Sequence, residues 1–265
     1  MKKEETVEEP VIVPAIAEED LEKIELGAVV AARKEEWTPR TSLGKKVKSG
    51  EITELGQILD SGNKIMEQEI VDILIPNLEA DVIMIGQAKG KFGGGQKRVF
   101  NQTQKKTNEG NKPSFSTCII VGNKDGFVGM GIGKGRETVP AREKALRKAK
   151  LNIIKIRRGC GSWVCGCKEP HTIPFKVSGK CGSIRILLMP APKGTGLKIQ
   201  SECQKMLAIA GIKDVWTKTK GQTRSSGNLA RACFMALKSL TETKVTQKDI
   251  EELGVQDGKA NGAAA

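Results

Sequence analysis

Tyrosine is absent from this chain of 265 residues, and the other large rings are few, 6 Phe and 3 Trp. Proteins that hold single-stranded nucleic acid regardless of sequence stack its bases on aromatic platforms, and this composition has little to stack on. No apolar run is long enough to cross a bilayer, and no secretory signal or lipidation motif is found. A membrane partner is therefore not expected, and a cytoplasmic location is. In that compartment the 7 Cys should be reduced or metal-bound rather than paired as disulfides. Carboxylates are scarce in the middle of the chain. Residues 83–240 hold 7 Asp and Glu against 31 Lys and Arg, an excess of 24 positive charges.

The positive charge is unevenly placed. The chain as a whole carries +13 with a pI near 9.4, yet residues 1–36 hold 11 Asp and Glu against 5 Lys and Arg. An acidic head thus precedes a very basic body. That excess repels itself until a polyanion neutralises it, and it exceeds what solubility requires. With so few rings, recognition of folded RNA through phosphates, 2′-hydroxyls and shape fits better than base stacking.

Texture divides the chain into six stretches. Residues 1–36 form an acidic extension expected to be disordered. Residues 37–77 start as an extended basic arm, from Trp37 through Lys48, and end in a helix over Lys64–Leu78 that carries Ile65, Ile70, Ile73 and Leu74 and is closed by Pro76. Residues 78–155 read as helix, three strands, helix when the preceding helix is included. The extended pieces are Val82–Ile85, Arg98–Lys106, Phe115–Val121 and Phe127–Ile132, with turns at Thr107–Pro113 and Asn123–Gly126. The closing helix has Pro140 in its first turn and a stripe of Ala141, Ala145 and Ala149 within a basic face. Residues 156–171 are a Cys/His linker loop. Residues 172–243 read as strand, strand, helix, strand, helix: Thr172–Val177 and Ser183–Met189 around Gly179–Gly182, a helix through Cys203, Met206, Leu207 and Ala210 ended by Gly211, a strand at Asp214–Thr217, and a last helix capped by Ser225 or Ser226. Residues 244–265 are polar and expected to fray.

Four constellations could carry chemistry. Cys160, Cys165, Cys167 and His171, the only histidine, fall within twelve positions. Three thiolates and an imidazole suit a structural zinc ion, because four protein ligands leave no open position for catalysis. The spacing is less usual than paired Cys-x-x-Cys, and Cys181 is a substitute ligand. The run Gly129-Met130-Gly131-Ile132-Gly133-Lys134-Gly135-Arg136 stands where phosphate loops occur, between a strand and a helix. It lacks the hydroxyl residue that Walker A needs after Lys134, and it misses G-x-G-x-x-G spacing. RNA phosphate on the backbone amides with Lys134 and Arg136, and a glycine strand packed closely, are its two readings, and the two are compatible. Pro192-Lys193-Gly194-Thr195-Gly196-Leu197 is similar to the phosphate loop of some small-molecule kinases, but Lys198 and Ile199 follow where small hydroxyl residues are needed, and no acid/base pair accompanies it. The fourth is the dispersed basic set. No catalytic site and no small-molecule substrate are expected; a nucleotide-dependent kinase and a free-standing RNA-binding regulator are the alternatives.

Ordered motifs then resemble one family. Glu69-Ile70-Val71-Asp72, Val121-Gly122-Asn123-Lys124-Asp125-Gly126-Phe127-Val128-Gly129 and Ala149–Ile154 resemble the first domain of the universal fifth protein of the small ribosomal subunit. Arg157-Arg158-Gly159-Cys160-Gly161-Ser162-Trp163 and Glu169–Val177 resemble its archaeal branch, and Pro190–Gly196 and Ala210–Trp216 continue the likeness over about Glu36–Thr243. The resemblance implies an α+β protein. Its first unit would have the double-stranded-RNA-binding-domain fold, α-β-β-β-α. Its second would be a ββαβα domain shared with a translocase domain and those kinases. It also implies binding to small-subunit rRNA, help in subunit assembly and decoding accuracy, contact with ribosomal proteins four and eight, and a place where mRNA enters. The hairpin around Lys105–Lys112 would reach rRNA. The residues expected at RNA are Lys105, Lys106, Lys112, Lys124, Lys134, Arg136, Arg142, Arg157, Arg158 and Lys193. Gly90–Gly95 looks inserted relative to the family pattern.

Overall fold

The computed structural model describes residues 37–88 and 97–258; the acidic extension and the Gly90–Gly95 stretch lie outside them. The chain from Pro39 onward is one unit.

Its first segment is helical where an extended arm was expected. Helix α1 spans Ser42–Ser49 and is set by its two ends. Thr41, in extended conformation, accepts a hydrogen bond from the Gly44 amide (3.0 Å), and Gly50 closes the helix in the left-handed region. Basic residues fill the exposed side while Val47 is buried, so charge masked a short helix. Helix α2, Leu55–Asp60, buries Leu55 and Ile58. Helix α3 covers Gln68–Leu74 only, shorter than the Lys64–Leu78 expectation at both ends.

The first sheet contains β1 (Glu79–Ile83), β2 (Asn101–Thr107), β3 (Gly110–Gly122), β4 (Phe127–Gly135) and β5 (Ile153–Lys155), all paired antiparallel, in the order β1-β3-β4-β5 with β2 also on β3. The turn expected over Thr107–Pro113 is tighter. Thr107 pairs with Gly110, so strand resumes after Asn108 and Glu109. Residues 110–114 of β3 have only β2 beside them, and the two strands leave the sheet as an exposed ribbon.

Strand β4 runs through the glycine-rich stretch as far as Gly135, so that stretch is not a loop. Helix α4, Thr138–Leu151, lies on its face and buries Ala141, Ala145 and Ala149. Register places Gly133 beside Thr117, Gly131 beside Ile119 and Gly129 beside Val121, so these pairs share the side facing α4. A Cβ on Gly133 would stand 2.0 Å from the Ala141 carbonyl oxygen, and one on Gly131 2.2 Å from the Ala149 nitrogen. Glycine on the strand and alanine on the helix let two backbones meet. The structure bears out the close packing of this motif.

The second sheet has the order β7-β8-β10-β9 from β7 (Val177–Cys181), β8 (Ile184–Pro190), β10 (Val215–Lys220) and the two-residue β9 (Leu197–Lys198); only β10 and β9 run parallel. The first strand of its hairpin begins at Val177, not Thr172. Gly179 to Cys181 belong to the strand, and the turn falls at Gly182 and Ser183. Helices α5 (Ser201–Ile209) and α6 (Ser226–Glu242) complete the expected order. Ser225 holds the cap position of α6, but its side chain makes no cap bond, and the Ser226 hydroxyl donates to the Met84 carbonyl instead.

The two halves share one core. Cys118, Ile120, Val128 and Met130, from the β3 and β4 face turned away from α4, join Ile184, Ile186 and Leu188 of the second sheet and the buried stripes of α5 and α6. Each fully buried aliphatic there contributes about 1.5–3 kcal/mol. Glu202 accepts from the Met84 amide (2.8 Å) and fixes the end of β1 to α5. The polar tail is also partly folded. Helix α7, Gln247–Leu253, starts with a reciprocal bond pair between Thr246 and Asp249, and β11 (Gln256–Asp257) pairs with β6 (Arg157–Arg158).

Candidate nucleic-acid interface and metal centre

The ten basic residues singled out from sequence fall into two groups. Lys105, Lys106 and Lys112 lie exposed on the β2–β3 ribbon, Lys134 and Arg136 are exposed at the end of β4, and Arg142 is exposed on α4. Among the described residues none of these six makes an ion pair. Register sets Lys105 directly across from Lys112. Like charges in that position destabilise a ribbon, and a polyanion relieves them.

The other four are engaged within the protein. Arg158 is buried, which corrects its expected place at RNA. Its guanidinium donates to the Lys124 carbonyl (3.1 Å) and reaches Asp125 at 3.5 Å. Burial lowers its pKa, and Asp125 opposes that. Arg158 holds the Asn123–Gly126 turn against Gly211. Arg157 pairs with Asp257 (3.3 Å) and donates to the Thr243 carbonyl, so it fastens the tail. Lys124 pairs with Glu79, and Lys193 with Glu169 at 2.6 Å.

Cys160, Cys165, Cys167 and His171 come together, their ligand atoms all within 4.8 Å of one another. A tetrahedral zinc ion with bonds of about 2.3 Å to sulfur spaces its ligands about 3.8 Å apart, and Cys165 Sγ lies 4.0 Å from His171 Nε2. Cys181 sits on β7 and is not part of the group. Two antiparallel bonds between Gly159 and Thr172 pinch the loop shut, and the Cys160 amide donates to the Leu253 carbonyl (2.8 Å). The backbone N–H of Lys193, helped by the Cys167 thiol, pulls the Cys165 thiol down to about 7. The Glu169 N–H pulls Cys167 the same way, but lost solvation and the neighbouring sulfurs raise it overall. Thiolates gathered this closely repel one another, and a metal ion among them would offset that repulsion.

Asp214 completes the arrangement and was given no role from sequence. It is buried, takes His171 Nδ1 at 2.9 Å on one carboxylate oxygen and the Gly196 amide at 2.7 Å on the other. A carboxylate on Nδ1 fixes the tautomer that offers Nε2 to a metal. Forty-three residues separate the pair, so no local spacing connects them. The same contacts use up the kinase-like turn. Gly196 N–H goes to Asp214, Thr195 Oγ1 donates to the Pro192 carbonyl (2.8 Å), and Lys193 reaches Glu169.

No helix among the described residues is long and apolar enough to cross a membrane. Residues 96–157 match the family described as ribosomal protein S5, N-terminal domain, and residues 179–251 the one described as ribosomal protein S5, C-terminal domain. The chain is similar to proteins named small ribosomal subunit protein uS5. The one from Methanothermobacter thermautotrophicus is 49% identical over 221 residues, covering 83% of this chain and 95% of the relative. Those from Nanoarchaeum equitans and Methanocaldococcus jannaschii are 47% and 45% identical, covering 84% and 85% of this chain and 96% and 97% of theirs.

Proposed function

The chain belongs to the ribosomal protein S5 family, and from that premise we propose that it grips small-subunit rRNA with the β2–β3 ribbon and with the basic end of β4 and α4, while a zinc ion braces the loop between its two halves. As a member it is a structural, rRNA-binding constituent of the small ribosomal subunit and not an enzyme. It works on cytoplasmic ribosomes, in assembly and decoding accuracy. The mechanism is neutralisation of phosphates by Lys and Arg on a prefolded RNA surface. The observation that carries it is the ribbon, where Lys105 faces Lys112 and Lys106 follows, all exposed.

Zinc would be held by Cys160, Cys165, Cys167 and His171, with Asp214 behind the imidazole; four protein ligands make it a brace. Contacts with ribosomal proteins four and eight, and a position beside incoming mRNA, rest on the family likeness. Sedimentation tests the reading. The full chain is expected to travel with small subunits through a high-salt gradient, and its affinity for small-subunit rRNA to fall steeply with added salt. A chain left at the top of the gradient, or a flat salt dependence, refutes it.

A further inference from the structure

A groove separates the first sheet from helix α6. At one end Lys97, Arg224 and Arg231 gather around a depression of about 780 Å³ beside Ile85–Ala88. At the other, Lys148, Lys180, Arg231 and Lys238 surround one of about 710 Å³. Arg231 and Ile132 line both, so the depressions are adjacent. Among the described residues no carboxylate lines either.

The second depression differs from an ordinary basic patch in its floor. Met130 and Phe234 line it from the buried core, and Met235 is 47% exposed among four cations. Arg231, Phe234, Met235 and Lys238 recur on α6 at the three- and four-residue spacing that puts side chains on one face. On this face Met235 stands exposed between Arg231 and Lys238, while Phe234 beneath it belongs to the shared core with the buried stripe of α6. A fitting ligand has a flat apolar body between negative charges. An RNA duplex keeps its base faces stacked inside and shows only phosphates and 2′-hydroxyls. An unpaired nucleotide shows both a base face and flanking phosphates.

We propose that this groove takes an unpaired rRNA segment, with one base laid on Met235 and the phosphates on either side held by Arg231 and Lys238, with Lys148 of α4 and Lys180 of β7 beside them. The inference rests on the ribosomal reading above and adds a site and an RNA element to it. The groove is built by both halves of the molecule, so it exists only once they have docked.

The test places the photo-crosslinking residue p-benzoylphenylalanine at position 235 of the full chain, assembles it into small subunits, irradiates, and scores the subunit peak of a gradient. The expected product is an rRNA adduct at an unpaired nucleotide. An adduct to a protein, an adduct within a paired helix, or no adduct from a chain that is in the peak overturns the groove assignment alone. Absence from the peak overturns the ribosomal reading instead. Independently, Arg231→Gln with Lys238→Gln should lower affinity for an rRNA transcript about tenfold and flatten the log–log salt slope by about two. An unchanged slope counts against the groove.

Discussion

Alanine at Gly133 separates the two readings of the glycine-rich run by measurement. The new Cβ would lie 2.0 Å from the Ala141 carbonyl oxygen and 2.5 Å from the Ala145 nitrogen. Nonbonded heavy atoms rest at about 3.5 Å, so α4 would have to lift by on the order of 1.5 Å. Both obstructing atoms are backbone, and no rotamer change relieves them. Overpacking costs about 1–3 kcal/mol where side chains can give; here the upper end, ~3 kcal/mol, is the expectation. In a protein of this size that corresponds to a Tm lower by roughly 6–12 °C. Thermal melts of the full chain followed by circular dichroism give the value. Gly131→Ala should match it, with its Cβ 2.2 Å from the Ala149 nitrogen. Gly135→Ala, at 3.1 Å from the nearest atom, should cost little, and Gly166→Ala, with nothing within 4 Å, should melt like the parent. If Gly133→Ala instead melts normally and binds rRNA poorly, the close-packing account is wrong and the amides of that strand meet phosphate.

Three further outcomes are expected. Cys165→Ser should abolish tight zinc binding, read as metal content by native mass spectrometry. Asp214→Asn, which leaves every sulfur in place, should weaken it by about 10–100-fold, and full retention in either variant removes that residue from the centre. Burial pushes the Cys118 thiol up to about 12, against the opposing pull of Arg231. The unfolded chain binds that proton only up to the ordinary value of 9.0, so stability present below that pH should be lost as pH climbs toward 12. Alkaline melts should show the decline, and Cys118→Val should flatten it. Thr246→Ala removes both side-chain bonds of the cap of α7 and should cost about 1 kcal/mol, seen as faster amide exchange over residues 247–257 without a matching change in α6.

Much of the α+β order was legible from local patterns. The Ala141/Ala145/Ala149 stripe, the β-branched run of β3 and the Cys/His cluster are repeats or clusters within a few residues, and the structure places all three as expected. Misreadings came where local composition misled. Lysines hid α1, whose existence depends on Thr41 and Gly50, and polarity hid α7, which depends on its cap. Contacts between distant residues left no local trace. His171 finds Asp214 across 43 positions, and Arg157 finds Asp257 across 100. Arg158 shows the limit of counting charge, since neighbouring arginines in sequence go one to the core and one to the tail.

The common core has a consequence for the order of synthesis. Translation proceeds at about 5–20 residues per second, and 110 positions separate Met130 from Leu240. For roughly 5–20 seconds the nascent chain holds the Cys118, Ile120, Val128 and Met130 face of its first sheet without the helices that cover it. The β11 on β6 pair closes only after residue 257 has been made. A newly made copy is thus a natural client for a chaperone that shields that face until the second half arrives.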